Sequence, residues 1–137
     1  VVFLIISAVN FSLHYAAVRN RNLRSYMRDP EFKAFLAIQA GLIVICFIVL
    51  LKTQTYENGD QALNQALFHA VSMSTTAGFA TDNFSAWPLF LPILLIFSSF
   101  IGGCAGSTGG GMKVLRVYLL FLQGILKCLL RVFYNLV

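Results

Sequence analysis

Charge is scarce in this sequence. Only 11% of its 137 residues are Asp, Glu, Lys or Arg, against about a quarter in soluble domains. That shortfall excludes an ordinary soluble globular domain. Cysteine is scarce too: Cys46, Cys104 and Cys128 have no CxxC spacing and sit in or beside apolar runs. An odd number of such cysteines supplies neither a disulfide framework nor a transition-metal site. They are expected to pack as small apolar residues. The only histidines, His14 and His69, are too few and too far apart to hold a metal. Each is expected to make one hydrogen bond on a helix. Five acidic residues face ten basic ones, a net charge of +5. That balance alone would suit nucleic acid, but no basic and aromatic residues interleave on a polar face, so no nucleic-acid partner is expected.

What abounds is apolar surface. Hydrophobic residues make up 58% of the chain, with 13 Phe, and they come in runs, the pattern of an all-α integral membrane protein. At about 20 residues per crossing there is room for roughly three to four passes. Both termini lie inside helical patterns, "VVFLII" and "CLLRVFYNLV", so the chain is expected to be a piece of a longer protein.

Residues 1–18 predict one helix, followed by a basic connection over 19–33. Asp29-Pro30-Glu31 reads as a helix start: Asp29 can cap, Pro30 fits the first helical position and Glu31 suits the positive helix end. The run 34–51 is long enough to span a bilayer, about 27 Å at 1.5 Å per residue. A polar loop with the turn signal Asn58-Gly59 follows. Apolar residues at 62, 63, 66, 67, 70 and 71 then predict a helix over 62–74. Such a helix enters a membrane but, at about 20 Å, cannot cross it. It ends at the loop Thr75-Thr76-Ala77-Gly78-Phe79, after which polar residues return to an interface. There Trp87 fits an interfacial aromatic and Pro88 a helix start. A last span over 88–130 is interrupted by the glycine-rich 102–111, and 132–137 reads as the start of a following segment.

Charge sets the orientation. Arg19, Arg21, Arg24, Arg28 and Lys33 fall in one region, and Lys113, Arg116, Lys127 and Arg131 in another. The positive-inside rule puts both on the cytoplasmic side. Glu57, Asp60 and Asp82 fall in the opposite loops, beside Lys52 alone. The half-helix therefore dips in from outside and returns outside.

A spanning helix, a re-entrant half-helix, a glycine loop and a second spanning helix make the layout of a pore-loop unit. Bare loop backbone at membrane depth survives only against protein or a wet cavity. Loop carbonyls can replace the hydration shell of K⁺. Gly78 can adopt the positive φ that turns carbonyls inward, the half-helix C-terminus favours a cation, and the outer acidic residues would concentrate cations. The backbone carbonyls of Thr75, Thr76, Ala77, Gly78 and Phe79 are the candidate K⁺ ligands.

"STTAGFATDNFSAWP" followed by "FIGGCAGSTGGGMKVLRV" resembles the TrkH-type bacterial potassium uptake proteins of the Trk/Ktr/HKT superfamily. The resemblance runs from about Asn10 to the end and is nearest to the third repeat of that family. It implies a pseudo-fourfold potassium-channel-like pore built from four M1–pore helix–M2 repeats in one chain. M1 would be 34–51, the pore helix 62–74, the filter 75–79 and M2 88–130, with 1–18 the end of the preceding M2. It implies a homodimer in the bacterial cytoplasmic membrane, bound to a cytoplasmic nucleotide-binding regulator of the RCK type, TrkA-like. K⁺ is the transported ion and no other cofactor is implied. It also implies an intramembrane gate formed by Gly102, Gly103, Cys104, Ala105, Gly106, Ser107, Thr108, Gly109, Gly110 and Gly111, with Lys113 behind it.

Other readings exist for each motif. The alternative within the same chemistry is a subunit of a homotetrameric two-helix potassium channel. The 75–79 stretch could be a plain interhelical turn, and 102–111 could be a GxxxG packing face of a continuous helix. A nucleotide-binding loop would need Gly-Lys-Ser/Thr after Gly106-x-x-x-x-Gly111, where Met112-Lys113 stands. A membrane enzyme would need an acid, a base or a nucleophile near the glycines, and the nearby sequence offers only Lys113 and Arg116. No enzymatic activity is expected.

Overall fold

In the computed structural model, helix α1 (Val2–Ala8) stops early and α2 (Phe11–Asn20) leaves it at 99°. The single helix expected over 1–18 is thus two. The cause is local and tertiary together. The Asn10 side chain accepts from the Ser12 amide and caps α2. The carbonyls of Ser7 and Ala8 accept from the amides of Thr108 and Cys104. The structure describes every residue except Asn22, Leu23, Glu57, Leu89 and Val137, and the side chains of Arg24, Ser25, 128–130 and 132–136 also lie outside the described residues. Glu57 of the outer acidic group and the Cys128 side chain are therefore not placed.

The basic connection carries a short helix, α3 (Arg24–Arg28). His14 reaches it, with Nδ1 2.7 Å from the Tyr26 hydroxyl and Nε2 2.9 Å from the Ile6 carbonyl. Helix α4 (Pro30–Lys52) begins where the sequence signals it: Asp29 accepts from the Glu31 amide at 2.8 Å, with Pro30 in the first turn. Among the described helices, α4 alone is long and apolar enough to cross a membrane unaided; the bent α1–α2 pair passes the same test only as one span.

Helix α5 (Gly59–Ser74) lies between α4 and α6 (Phe90–Ile101). Its buried stripe is Ala62, Ala66 and Ala70, one small residue per turn on one face. That spacing lets α4 and α6 approach closely, and the stripe packs with Leu42, Cys46, Leu50, Trp87, Leu91 and Leu95. Leu63, grouped by periodicity with the apolar face, is 42% exposed instead. Trp87 is not displayed as a surface anchor. It is buried, its ring packed 5.0 Å from that of His69 and its indole N–H donating to the Tyr56 hydroxyl.

After α6 the chain unwinds, and it recoils as α7 (Val114–Leu136), so residues 132–136 continue the helix rather than starting a new segment. A second core comprises Ala8, Val9, Phe35, Cys104 and Val114. It anchors the unwound segment between α1, α4 and α7.

Candidate functional site

The C-terminus of α5 delivers the 75–79 loop. Helix α5 is 16 residues long, about 24 Å, and its last carbonyls carry partial negative charge. Thr75 closes the helix with its hydroxyl donating to the Val71 carbonyl at 2.8 Å. From there the hand of the backbone alternates. Thr75 has φ −81°, Thr76 +60° and Gly78 +74°. The positive φ at Gly78 was legible from its residue type; at Thr76 it was not, since a β-branched residue is a true outlier there.

The loop is held from behind. Gln39, the one polar residue inside the apolar run of α4, donates to the Ser74 hydroxyl at 2.6 Å. The amides of Ala77 and Gly78 donate to the Ser72 carbonyl at 2.9 and 3.3 Å. The Ser72 hydroxyl donates to the Phe79 carbonyl at 2.6 Å. Among the described residues, no donor bonds the carbonyls of Thr75, Thr76, Ala77 or Gly78. The Phe79 carbonyl differs from the other four in being engaged with the half-helix.

The stretch after the loop is clasped as well. Tyr56 donates to Asp82 at 2.5 Å, and His69, fully buried, faces the Gln65 and Asp82 carbonyls at 3.0 and 3.3 Å. A neutral imidazole has one N–H for those two acceptors. The Tyr56 hydroxyl, helped by the Asn83 amide, holds the Asp82 carboxyl below its ordinary range. Burial, and then the bond to Asp82, pushes the Tyr56 hydroxyl above its own.

The glycine segment is unwound throughout, so the continuous-helix reading of its GxxxG spacing fails. Gly102 turns the chain with φ +72°, and a Cβ there would sit 2.1 Å from the Gly110 carbonyl oxygen. The segment folds back on itself at a distance only glycine permits. Amides in and just after it are held from four directions. Cys104 and Thr108 donate to Ala8 and Ser7, Met112 to Phe100, Ala105 to the Glu31 carboxylate and Gly110 to the Thr76 hydroxyl. Lys113, φ +68°, folds its ammonium onto the Ser107 and Gly109 carbonyls. Sequence reading expected helix from Met112; Lys113 instead closes the loop, and the helix begins at Val114.

The two candidate elements therefore meet. Gly110 donates to Thr76 at 2.6 Å, and an added Cβ at Gly109 would stand 3.1 Å from the Thr75 carbonyl oxygen. The 75–76 end of the loop touches the glycine segment. For Ala77 to Phe79 the hydrogen bonds run back to α5. Gln39 and Glu31 are the supporting residues that sequence reading missed. Gln39 carries a signal, being alone among apolar neighbours; Glu31 reads from the sequence only as a charge suited to a helix start.

Against known proteins, the family model described as TrkH, cation transport protein, matches residues 1–129. The chain belongs to the TrkH family. It is 60% identical over 126 residues to the Trk system potassium uptake protein TrkH of Vibrio parahaemolyticus, covering 90% of this chain and 26% of that protein. It is 54% identical over 123 residues to TrkH of Escherichia coli K12, and 36% identical over 121 residues to that strain's TrkG, again covering 26% and 25% of those proteins. The crystal structure of the potassium transporter TrkH from Vibrio parahaemolyticus superimposes with a TM-score of 0.90 at 58% identity, over 93% of this chain and 28% of that one. The chain thus spans about a quarter of the length of these relatives. It is an all-α membrane protein of the TrkH fold.

Proposed function

We propose that this chain is a pore-forming repeat of a potassium uptake protein, with α4 as M1, α5 as the pore helix, 75–79 as the filter and α6–α7 as an M2 broken by a gate. The observation that carries it is the row of carbonyls from Thr75 to Gly78, without donors among the described residues, at the negative end of a half-length helix. Alternation of the sign of φ turns successive carbonyls to one side of a chain, as a desolvating cation requires. The relatives are named for potassium uptake and transport, and K⁺ is the cargo assigned here. The family model is that of a cation transport protein, so transport rather than catalysis is the activity assigned here.

The remaining filter segments belong to other repeats of a longer chain. Matches over about a quarter of long relatives favour that arrangement over a homotetramer of short chains. The protein is placed in the bacterial cytoplasmic membrane as a multi-pass homodimer, served by a TrkA-like cytoplasmic regulator of the RCK type.

The segment Gly102 to Gly111, with Lys113, is the gate. Its contacts with Thr75 and Thr76 support a position at the inner mouth of the filter, and a non-helical segment there would face the path because lipid would strand its amides. Deleting Ala105 to Gly110 in the full-length protein should raise K⁺ flux into proteoliposomes and weaken its dependence on the regulator. A folded deletion protein with unchanged or lower flux would make the segment a spacer.

A further inference from the structure

We propose that Glu31 is the latch of the gate: its carboxylate holds the glycine segment closed through the Ala105 amide and releases it when the segment moves. The proposal rests on the gate reading above. Glu31 stands in the first turn of α4, yet its side chain is not spent on that helix. It is 7% exposed, and its Oε1 accepts the Ala105 N–H at 2.5 Å across 74 residues of sequence. The other segment amides that reach outside it take neutral oxygens, the Ala8 and Ser7 carbonyls and the Thr76 hydroxyl, and the Met112 amide just after it takes the Phe100 carbonyl. Ala105 alone among them meets an ionisable acceptor. A charge-assisted bond is roughly twice as strong as a neutral one, and a carboxylate on a rotatable side chain can let go where a helix carbonyl cannot.

The opposite polarity stands on the other side. Lys113 grips the Ser107 and Gly109 carbonyls, so the segment is bracketed by an anion on one of its N–H groups and a cation on its C=O groups. Both brackets sit where a pull from the cytoplasm would arrive: Lys113 immediately before α7, and Glu31 at the end of the basic connection. Glu31 touches the gate, not the filter, so it is a positioning residue and should not alter which ion passes.

The test uses the full-length protein in proteoliposomes without regulator, comparing wild type, Glu31→Gln, Glu31→Ala and the deletion of Ala105 to Gly110. A second readout is labelling of Cys104, which is 1% exposed, by a water-soluble thiol reagent in a background lacking other cysteines. Regulator-free flux and labelling rate should both rise in the order wild type, Gln, Ala. Alanine should raise flux by about tenfold to a hundredfold, the worth of a charged hydrogen bond, and glutamine by less because it keeps an acceptor oxygen. The K⁺/Na⁺ permeability ratio should stay unchanged. Leak from the deletion but not from Glu31→Ala overturns the latch and leaves the gate standing. Absence of leak from both overturns both. If Glu31→Ala does not fold, flux and labelling of Glu31→Gln equal to wild type overturn the latch.

Discussion

Gly78 has φ +74° and nothing within 4 Å of where a Cβ would be. A substitution there costs backbone strain rather than a clash, roughly 1–2 kcal/mol. Gly78→Ser in the intact protein should therefore fold and lower the K⁺/Na⁺ permeability ratio; an unchanged ratio would count against the filter assignment. Asp82 offers a pH test at the same scale. Its carboxyl is lowered by the Tyr56 hydroxyl, so its contribution is present above the unfolded pKa, about 3.9, and is lost as pH falls through the lower folded value. Asp82→Asn should lower the melting temperature at neutral pH, and the gap to wild type should narrow as pH falls below about 4. A gap of constant size down to the acid limit would mean that the Tyr56 hydroxyl does not favour the ionised Asp82 carboxylate.

At the scale of elements, breaks were legible where a special residue makes them and illegible where a distant partner does. Asp29-Pro30 announces α4 because a cap and a fixed φ are properties of single residues. The unwinding at Gly102 follows from a row of glycines. The 99° turn between α1 and α2 has no glycine or proline at the corner; Asn10 caps α2 there, but the distant loop amides that take the α1 carbonyls complete the break. The same distinction predicts mutational sensitivity. Gly102→Ala would drive a methyl onto the Gly110 carbonyl at 2.1 Å, so the segment must shift, at about 1–3 kcal/mol for such overpacking. The variant should melt lower and leak K⁺ without regulator. Gly59→Ala meets only the Leu51 side chain at 3.8 Å and should stay within about 0.5 kcal/mol of wild type. Equal effects of the two in a thermal melt would show that the close fold-back at Gly102 is not under constraint.

At the scale of the whole molecule, the order of helix, half-helix, loop and broken helix could be read from hydropathy and glycine placement, and the crystal structure of a TrkH relative shares it. What could not be read is how the parts hold one another. Glu31 meets Ala105, Gln39 meets Ser74 and Thr76 meets Gly110 across 74, 35 and 34 residues. Each is an ordinary polar residue until the fold brings its partner. Those contacts join the 75–79 loop, the glycine segment and α4 into one unit, so under the proposed gating any movement of the segment must break its bonds to Thr76 and Glu31 together. The central claim is that the 75–79 backbone forms the wall of a cation path, and the most direct measurement is ion density. Crystals of the intact protein grown in rubidium should show anomalous peaks bounded by the carbonyls of Thr75 to Gly78. Peaks only elsewhere in the protein, with this loop packed against lipid or side chains, would contradict the account.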